Sequence, residues 1–558
     1  MKTIYLIQPP IEDFYTTPIR NIPLGLIQIG TVLKSSHKVK IFDLRYNKKK
    51  KINPPEIFKP LLKYYHEYNA SPFSLYKNYY RFGYNTSEFV KNLDQPPDYF
   101  AISSLCTTYS ETSLELISAI KNKFPNSTII AGGTDASIRP EVYFGAGADF
   151  VIKGEGEFSL LKLLKAIEKR ERFLESIENL VWEKGSKKIY NRTSLIKDLD
   201  TVPFPDYSLD GLPEYIYNGK RHAMIMAGRG CPYRCKFCSI ARTMGYNTRL
   251  RSVENVVEEI AEKVKIGITS FDFEDDNLGH NKKWFNDFLD YSIKYFKKDN
   301  LHFYAMNGIT ASNVDETILT KMKEAGFQYI NLSLVNPEPA IQKKLKRPFT
   351  TSMFLEVINH ANKIGLPVIA YLILGMPGDT VEKMLNAILF LASTQCLIGP
   401  SIFYITPESE MYNELKEKGK LPQNVESFRA TCVPYTDENF TREDIITLFA
   451  ITRIVNFIKY IIDRKPQPAE FEIKDHKLFI KNSISGSQTR ITIGLALLKL
   501  LFEEGKLYYT GKKTRNYYPL MEENVSKKIL RKLFDTRWTI KGYLTSRSLS
   551  LSQLCSLI

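Results

Sequence analysis

From the first residue to about residue 165, short apolar runs alternate with longer segments whose apolar residues recur every three or four positions. The runs Thr3–Ile7, Lys38–Phe42, Tyr99–Ser103, Ser127–Ala131 and Asp149–Lys153 have strand length, and Leu24–Lys34 and Glu111–Lys123 have helical spacing. Strands separated by helical crossovers pair in parallel, so this part predicts an open, doubly wound, flavodoxin-like α/β sheet. Ligands of such sheets bind beyond the strand C-termini, where Ser103-Ser104-Leu105 and Gly132-Gly133-Thr134 stand. Residues 46–97 interrupt the pattern with Lys48–Lys51, many tyrosines and no clear period. They predict an insertion, partly helical, on the edge of the sheet.

Residues 171–220 hold a hairpin pattern, Leu180–Lys184 and Lys187–Asn191 around Gly185-Ser186, then Pro203, Pro205 and Pro213. Proline donates no backbone hydrogen bond and punctuates regular structure, so the stretch predicts an ordered connector rather than more of the sheet. A second alternation follows. Its strand candidates are Ala223–Ala227, Ser270–Glu274, His302–Met306, Tyr329–Leu334, Val368–Leu374 and Ser401–Ile405. Helical patterns lie between them at Val253–Val264, Lys282–Tyr295, Asp315–Ala325, Phe354–Lys363 and Thr380–Ala392. Such units predict a full or partial parallel barrel over 221–425, with its chemistry at the mouth formed by the strand C-termini. Residues 426–558 lack the alternation and predict a mainly helical domain with a few hairpins, placed to cap a substrate.

Apolar residues at 43% and charged residues at 25% are ordinary for globular chains and exclude a disordered or fibrous class. The 77 basic against 61 acidic side chains leave a formal charge of +16. That excess suits an acidic partner such as a small electron carrier, flavodoxin or ferredoxin, as well as nucleic acid or an anionic membrane face. Cys106, Cys396, Cys432 and Cys555 are scattered singly, which predicts a reducing, cytoplasmic setting and buried, apolar roles for these thiols. The N-terminal apolar run is too short for a signal peptide. The late stretch Ile491–Phe502, interrupted by Lys499, falls short of the roughly 20 residues that span a bilayer.

The candidate chemistry begins directly after the first strand of the second alternation. Gly228-Arg-Gly-Cys231-Pro-Tyr-Arg-Cys235-Lys-Phe237-Cys238 puts three cysteines in eight residues, with no fourth nearby. Three thiolates can hold three corners of a 4Fe-4S cluster and leave the fourth iron open. A structural zinc site would need four ligands in paired spacings, and no second pair exists. The C-x3-C-x2-C spacing with Phe237 before the last cysteine resembles the radical S-adenosylmethionine (radical SAM) superfamily. The resemblance implies that SAM chelates the open iron and is cleaved to a 5'-deoxyadenosyl radical. It implies catalytic roles for Asp275 and Asp276, which follow the second strand, and for Arg347 of the pair Lys346-Arg347. It also implies cofactor contacts for Phe237 and for Gly375 and Pro377 of the turn Gly375-Met-Pro377-Gly378-Asp379-Thr380. Where the family commonly has Glu-Ser or Gln-Ser after the fourth strand, this chain has Val335-Asn336, so Ser333 and Asn336 are the substitutes for holding SAM.

Pro23-Leu-Gly25, Ser103-Ser-Leu105, Gly132-Gly133-Thr134, Asp149 to Glu157 and Asp198 to Tyr207 resemble the cobalamin-binding class of this superfamily. That implies cobalamin contacts from Ser103, Ser104, Leu105, Gly132, Gly133, Thr134 and Glu155. The cobalt-binding D-x-H-x-x-G of some cobalamin domains is replaced by Asp43-Leu-Arg45-Tyr-Asn47, which supplies no axial histidine. The expected function is a cobalamin-dependent radical SAM enzyme that methylates an unactivated carbon of a small-molecule or peptide substrate. Two alternatives are a cobalamin-assisted cyclisation, rearrangement or redox reaction without methyl transfer, and a non-catalytic sensor binding nucleic acid. The expected domains are 1–170 for cobalamin, 171–220 as connector, 221–425 as barrel and 426–558 as cap.

Overall fold

The computed structural model describes residues 1–15, 22–171, 174–481, 486–550 and 553; Cys555 lies outside the described residues. The first sheet contains β1 (Thr3–Gln8), β2 (Lys38–Asp43), β3 (Tyr99–Ser103), β4 (Thr128–Gly132), β5 (Phe150–Ile152), β6 (Leu180–Lys184) and β7 (Lys187–Tyr190), in the order β7-β6-β5-β4-β3-β1-β2. The five strands from β2 to β5 are parallel, with Ile4 opposite Val39 and Tyr99, as the alternation predicts. Successive side chains go to opposite faces: Ile4, Leu6, Ala101 and Ile130 meet Ile27 and Leu160 on one side, while Ile7, Phe100, Ile102 and Ile129 meet Leu116 and Ile120 on the other. A parallel sheet must be apolar on both faces because its crossover helices cover both.

The hairpin β6–β7 corrects the reading of 171–220 as connector alone. Strand β6 pairs antiparallel with β5, Phe150 opposite Trp182, and extends the sheet. Only the later, proline-bearing part is connector. It runs along the helix Leu24–Leu33, where Asp206 accepts from Lys34 at 2.7 Å and its N–H donates to Thr31 Oγ1 at 2.8 Å.

The barrel strands are β8 (Lys220–Ile225), β9 (Ser270–Phe273), β10 (His302–Tyr304), β11 (Ile330–Val335), β12 (Val368–Leu374) and β13 (Leu397–Ile402). They form two parallel triplets, linked by the bridges Phe303–Phe327 and Ile309–Leu332. Among the described strands β13 does not pair with β8, so the barrel is partial.

Residues 46–97 depart from expectation. Tyr79–Phe82 pairs with both Ile11–Asp13 and Lys49–Ile52 in a small antiparallel sheet, and the aromatic residues between Ile52 and Tyr79 join the barrel's core. Phe73 packs on Phe457, Tyr65 donates to the Thr431 carbonyl at 2.6 Å, and His66 stacks on Tyr509 while pairing with Glu523 at 2.8 Å. The middle of the insertion therefore straps the C-terminal region, while the helix Thr86–Lys91 packs on the sheet unit. That region has helices Arg442–Arg464, Gly486–Glu504 and Lys527–Asp535, together with a four-stranded antiparallel sheet and a two-stranded one. Arg442–Arg464 is long and apolar enough to cross a membrane by length and composition. Yet 72% of its apolar window is buried inside the protein, as befits a core helix.

Candidate active site

Strand β8 delivers the chain to the cysteine loop, and the two-residue ladder Gly228–Arg229 with Arg249–Leu250 closes the loop's base. Gly230 has φ +88°, and a Cβ there would lie 2.6 Å from the Asn247 carbonyl, so this tight turn demands glycine. The N–H of Cys231 donates to the Gly245 carbonyl at 3.2 Å, and that of Cys238 to the Cys235 carbonyl at 3.1 Å. Phe237 packs against the barrel core and anchors the loop. Two N–H donors point at sulfur from outside the loop: Asn277 Nδ2 at 3.6 Å from Cys231 Sγ and Arg347 Nη1 at 3.3 Å from Cys235 Sγ. Donors of this kind match thiolates bound to metal, so the loop fits an iron–sulfur cluster. Burial pushes the Cys238 thiol up to about 11, so taking up metal would release protons.

The acidic turn after β9 grips this loop. Asp275 Oδ2 accepts from Ala227 N at 3.0 Å and Asp276 Oδ2 from Gly230 N at 2.7 Å. Burial raises Asp275 to about 7 and Asp276 above the ordinary carboxylate value, against these N–H bonds. Both side chains thus work on the loop backbone. Opposite them, Arg347 Nη2 donates to the Ser333 carbonyl at 2.5 Å and to Ser333 Oγ at 3.3 Å, which aims the guanidinium at Cys235.

A cavity of about 880 Å³ opens between the C-terminal ends of the first sheet's strands and the barrel mouth. Its sheet wall includes Ser103, Leu105, Gly132, Gly133 and Thr134, and its barrel wall includes Met226, Met244 and Glu274. Gly25 and Gly154 face open space, and a Cβ on Gly132 would meet only the Ile152 carbonyl at 3.7 Å. The wall is low and has room for a large, flat ligand. Gly133 is different: its φ is +100° and a Cβ would strike the Ser104 carbonyl at 2.5 Å, so its conformation alone requires glycine.

Residues 225–391 match the model of the Radical SAM superfamily. That segment, most of the barrel, is a radical SAM domain. The chain is 26% identical to an uncharacterized methyltransferase of Pyrococcus horikoshii over 394 residues, covering 69% of this chain and 77% of that protein. Its fold is similar to the radical SAM methyltransferase TsrM of Kitasatospora setae, solved with cobalamin and a [4Fe-4S] cluster bound. The TM-score is 0.58 at 17% identity, and the similarity covers 75% of each chain. The apo form of the cobalamin-dependent SAM radical enzyme OxsB superimposes with a TM-score of 0.59 at 13% identity, over 96% of this chain and 83% of that one.

Within the radical SAM barrel, the structure sorts the remaining residues. Ser333 stands beside Arg347 in β11. Asn336 Oδ1 accepts from Glu338 N at 2.9 Å, while its buried Nδ2 has no partner among the described residues. Between them Val335 holds φ +69°, where the β11–β12 register shifts. Gly375 turns toward the C-terminal helix: its φ is +82° and a Cβ would sit 2.9 Å from Ile445 Cδ1. Pro377 borders a cleft of about 120 Å³ with Lys344 and Asp379, the latter raised to about 6 by burial. Neither Gly375 nor Pro377 lines the large cavity.

Several sheet-side residues are engaged within the protein. Ser104 is buried behind the wall and accepts from the Tyr143 hydroxyl at 2.6 Å, since side chains alternate along the strand end. Glu155 borders the cavity, but its carboxylate is taken by Arg229 at 3.0 Å and Arg249 at 2.9 Å, the two residues at the base of the cysteine loop. Burial opposes its ionisation, and the Arg249 hydrogen bond and Arg229 charge override that, so its pKa falls below the usual value. Asp43 accepts from the Tyr215 hydroxyl at 2.8 Å and Arg45 Nε donates to the Pro9 carbonyl at 2.8 Å; neither lines the cavity.

Sequence reasoning missed Tyr404, just past β13. It is 52% exposed, yet burial pushes its phenol up to about 12, with the thiols of Cys238 and Cys106 adding to the rise. Cys238 of the cluster loop and Cys106 of a sheet-domain loop are thus both close to it. The exposure of Cys106 corrects the expectation of a buried, apolar thiol there. Position after a barrel strand was the available signal for Tyr404.

Proposed function

We propose that this protein is a cobalamin-dependent radical SAM methyltransferase that methylates an unactivated carbon of a small-molecule or peptide substrate. The observation that carries the reading is the cavity of about 880 Å³ where the doubly wound sheet meets the cluster-bearing barrel mouth. When bound, the cluster with SAM supplies a carbon-based radical and cobalamin supplies a methyl group. Cys231, Cys235 and Cys238 hold the cluster, and Asn277 and Arg347 donate toward two of the sulfurs. Ser333 and the free Asn336 Nδ2 at the end of β11 are the groups offered to SAM. Ser103, Leu105, Gly132 and Thr134 form the low wall offered to the corrin. Tyr404, near Cys238 and Cys106 and with its proton retained near neutral pH, can donate a hydrogen bond to substrate. The methyltransferase relative and the cobalamin-bearing TsrM support this reading.

The test is anaerobic reconstitution with iron, sulfide and hydroxocobalamin, followed by incubation with SAM and reductant. About four irons per chain and stoichiometric cobalt are expected, with S-adenosylhomocysteine forming beside 5'-deoxyadenosine. A loaded cluster without retained cobalt would overturn the reading. Retained cobalt with deoxyadenosine and no methylated product would favour a cyclisation or redox reaction instead.

A further inference from the structure

Reduction of the cluster must come from outside the chain, and electron transfer weakens steeply with distance. A donor can approach by the outer side of Cys235, next to the exposed Arg234. Three segments meet there. Lys236 N donates to the Leu345 carbonyl at 3.3 Å, Met411 N donates to the Lys236 carbonyl at 2.9 Å, and Cys235 Sγ lies 3.9 Å from the Lys346 carbonyl. Residues 234–236, 343–347 and 410–420 thus form the outer shell of Cys235.

These 19 residues carry nine basic side chains and three carboxylates, six of the chain's sixteen net positive charges. Two of the carboxylates are spent inside the shell: Lys236 Nζ binds Glu410 at 3.0 Å and Glu414 at 2.8 Å, and Lys346 Nζ binds Glu410 at 2.6 Å. Arg234, Lys343, Lys416, Lys418 and Lys420 are exposed around them. The helix Glu410–Glu417 turns Glu410 and Glu414 toward Lys236, and its C-terminal end adds cations that continue the patch. A basic surface placed over the redox centre attracts acidic proteins and raises their association rate.

Building on the proposed function, we infer that the surface formed by 234–236, 343–347 and 410–420 docks an acidic one-electron carrier protein of the flavodoxin type. One electron leaves the reduced flavin carrier and enters the oxidised cluster; no bond forms or breaks, and carrier and cluster change oxidation state by one each.

Flavodoxin, photoreduced anaerobically, is mixed with the reconstituted full chain, and cluster bleaching and its paramagnetic signal are followed. Reduction is expected to slow steeply as salt rises from about 50 to about 500 mM. At low salt the variant Lys343→Glu/Lys416→Glu/Lys418→Glu is expected to be reduced about tenfold more slowly or worse. A charge-matched control, Lys50→Glu/Lys297→Glu/Lys298→Glu, is expected to stay within about twofold of the parent. Dithionite should reduce all three proteins equally. A milder Lys→Gln triple at the same three positions covers the case in which the glutamate variant loads no cluster. Parent-like rates in either patch variant, equal slowing in the control, or salt-independent reduction would overturn the docking surface. A parent chain with no cluster that dithionite can reduce would instead remove the radical SAM reading, and the dock with it.

Discussion

At the scale of single residues, the polar groups near the centre mostly hold backbone in place. Asp275 and Asp276 follow a barrel strand where acidic groups are expected to face substrate, yet each accepts from the peptide N–H groups that lead into the cysteines. Their proximity to the loop was legible from the strand order; their direction was not, because it depends on the path of residues 227–230 almost fifty positions earlier. Lys459 is a clearer case of a buried charge. Its ammonium is fully buried and donates to the carbonyls of Thr394 at 2.6 Å and Lys541 at 3.0 Å, and burial lowers its pKa to about 8. A base with a depressed folded-state pKa contributes stability above its unfolded value of 10.5 and loses it as pH falls toward 8. Relative to Lys459→Met, the parent should therefore gain stability between pH 8 and 10.5, by on the order of 3 kcal/mol. Thermal unfolding of both proteins across that window checks it, and a constant difference would contradict it.

At the scale of elements, the strands were legible where both faces are apolar. Tyr99–Ser103 and Val368–Leu374 run as their sequences predict, and the helix Lys282–Tyr295 does too. Strand β11 shows what pattern cannot express. Val335 continues an apolar run but turns into the left-handed region, a conformation that costs a β-branched residue about 1–3 kcal/mol and clusters at functional sites. Its burial at 4% exposure holds it there. Val335→Gly should lose packing and relieve strain together, leaving Tm within a few degrees of the parent. Val368→Gly removes an equally buried valine from regular strand and should cost about 2 kcal/mol or more. Equal losses in the two variants, read by thermal unfolding, would show that the Val335 conformation carries no strain.

At the scale of the whole molecule, the two α/β units are joined by a buried ionic clamp. Glu155 of the sheet unit binds Arg229 and Arg249, and Glu157 binds Arg229 at 2.6 Å, so the base of the cysteine loop is tied to the rim of the cavity. Glu155→Ala leaves two nearly buried guanidinium groups short of a partner and should cost about 3–5 kcal/mol. It should also lower both cobalt and iron retained after reconstitution, while Glu155→Gln should lose less. A variant that keeps the parent's Tm and metal content would show that the clamp is dispensable. The motif containing Glu155 was legible, but its role was not, since its partners lie more than seventy residues away. The same holds for residues 46–97, where Tyr65 and Tyr76 take their partners from the C-terminal half, Thr431 and Phe449. The sequence by itself determined the cluster ligands and the two strand–helix alternations, because three cysteines within eight residues and apolar periodicity are local properties. Only the tertiary structure decided which face of each loop meets the shared cavity, that a hairpin extends the sheet, and that the basic segments 234–236, 343–347 and 410–420 become one surface. Those outcomes depend on side chains distant in sequence competing for the same buried space and the same hydrogen-bond partners.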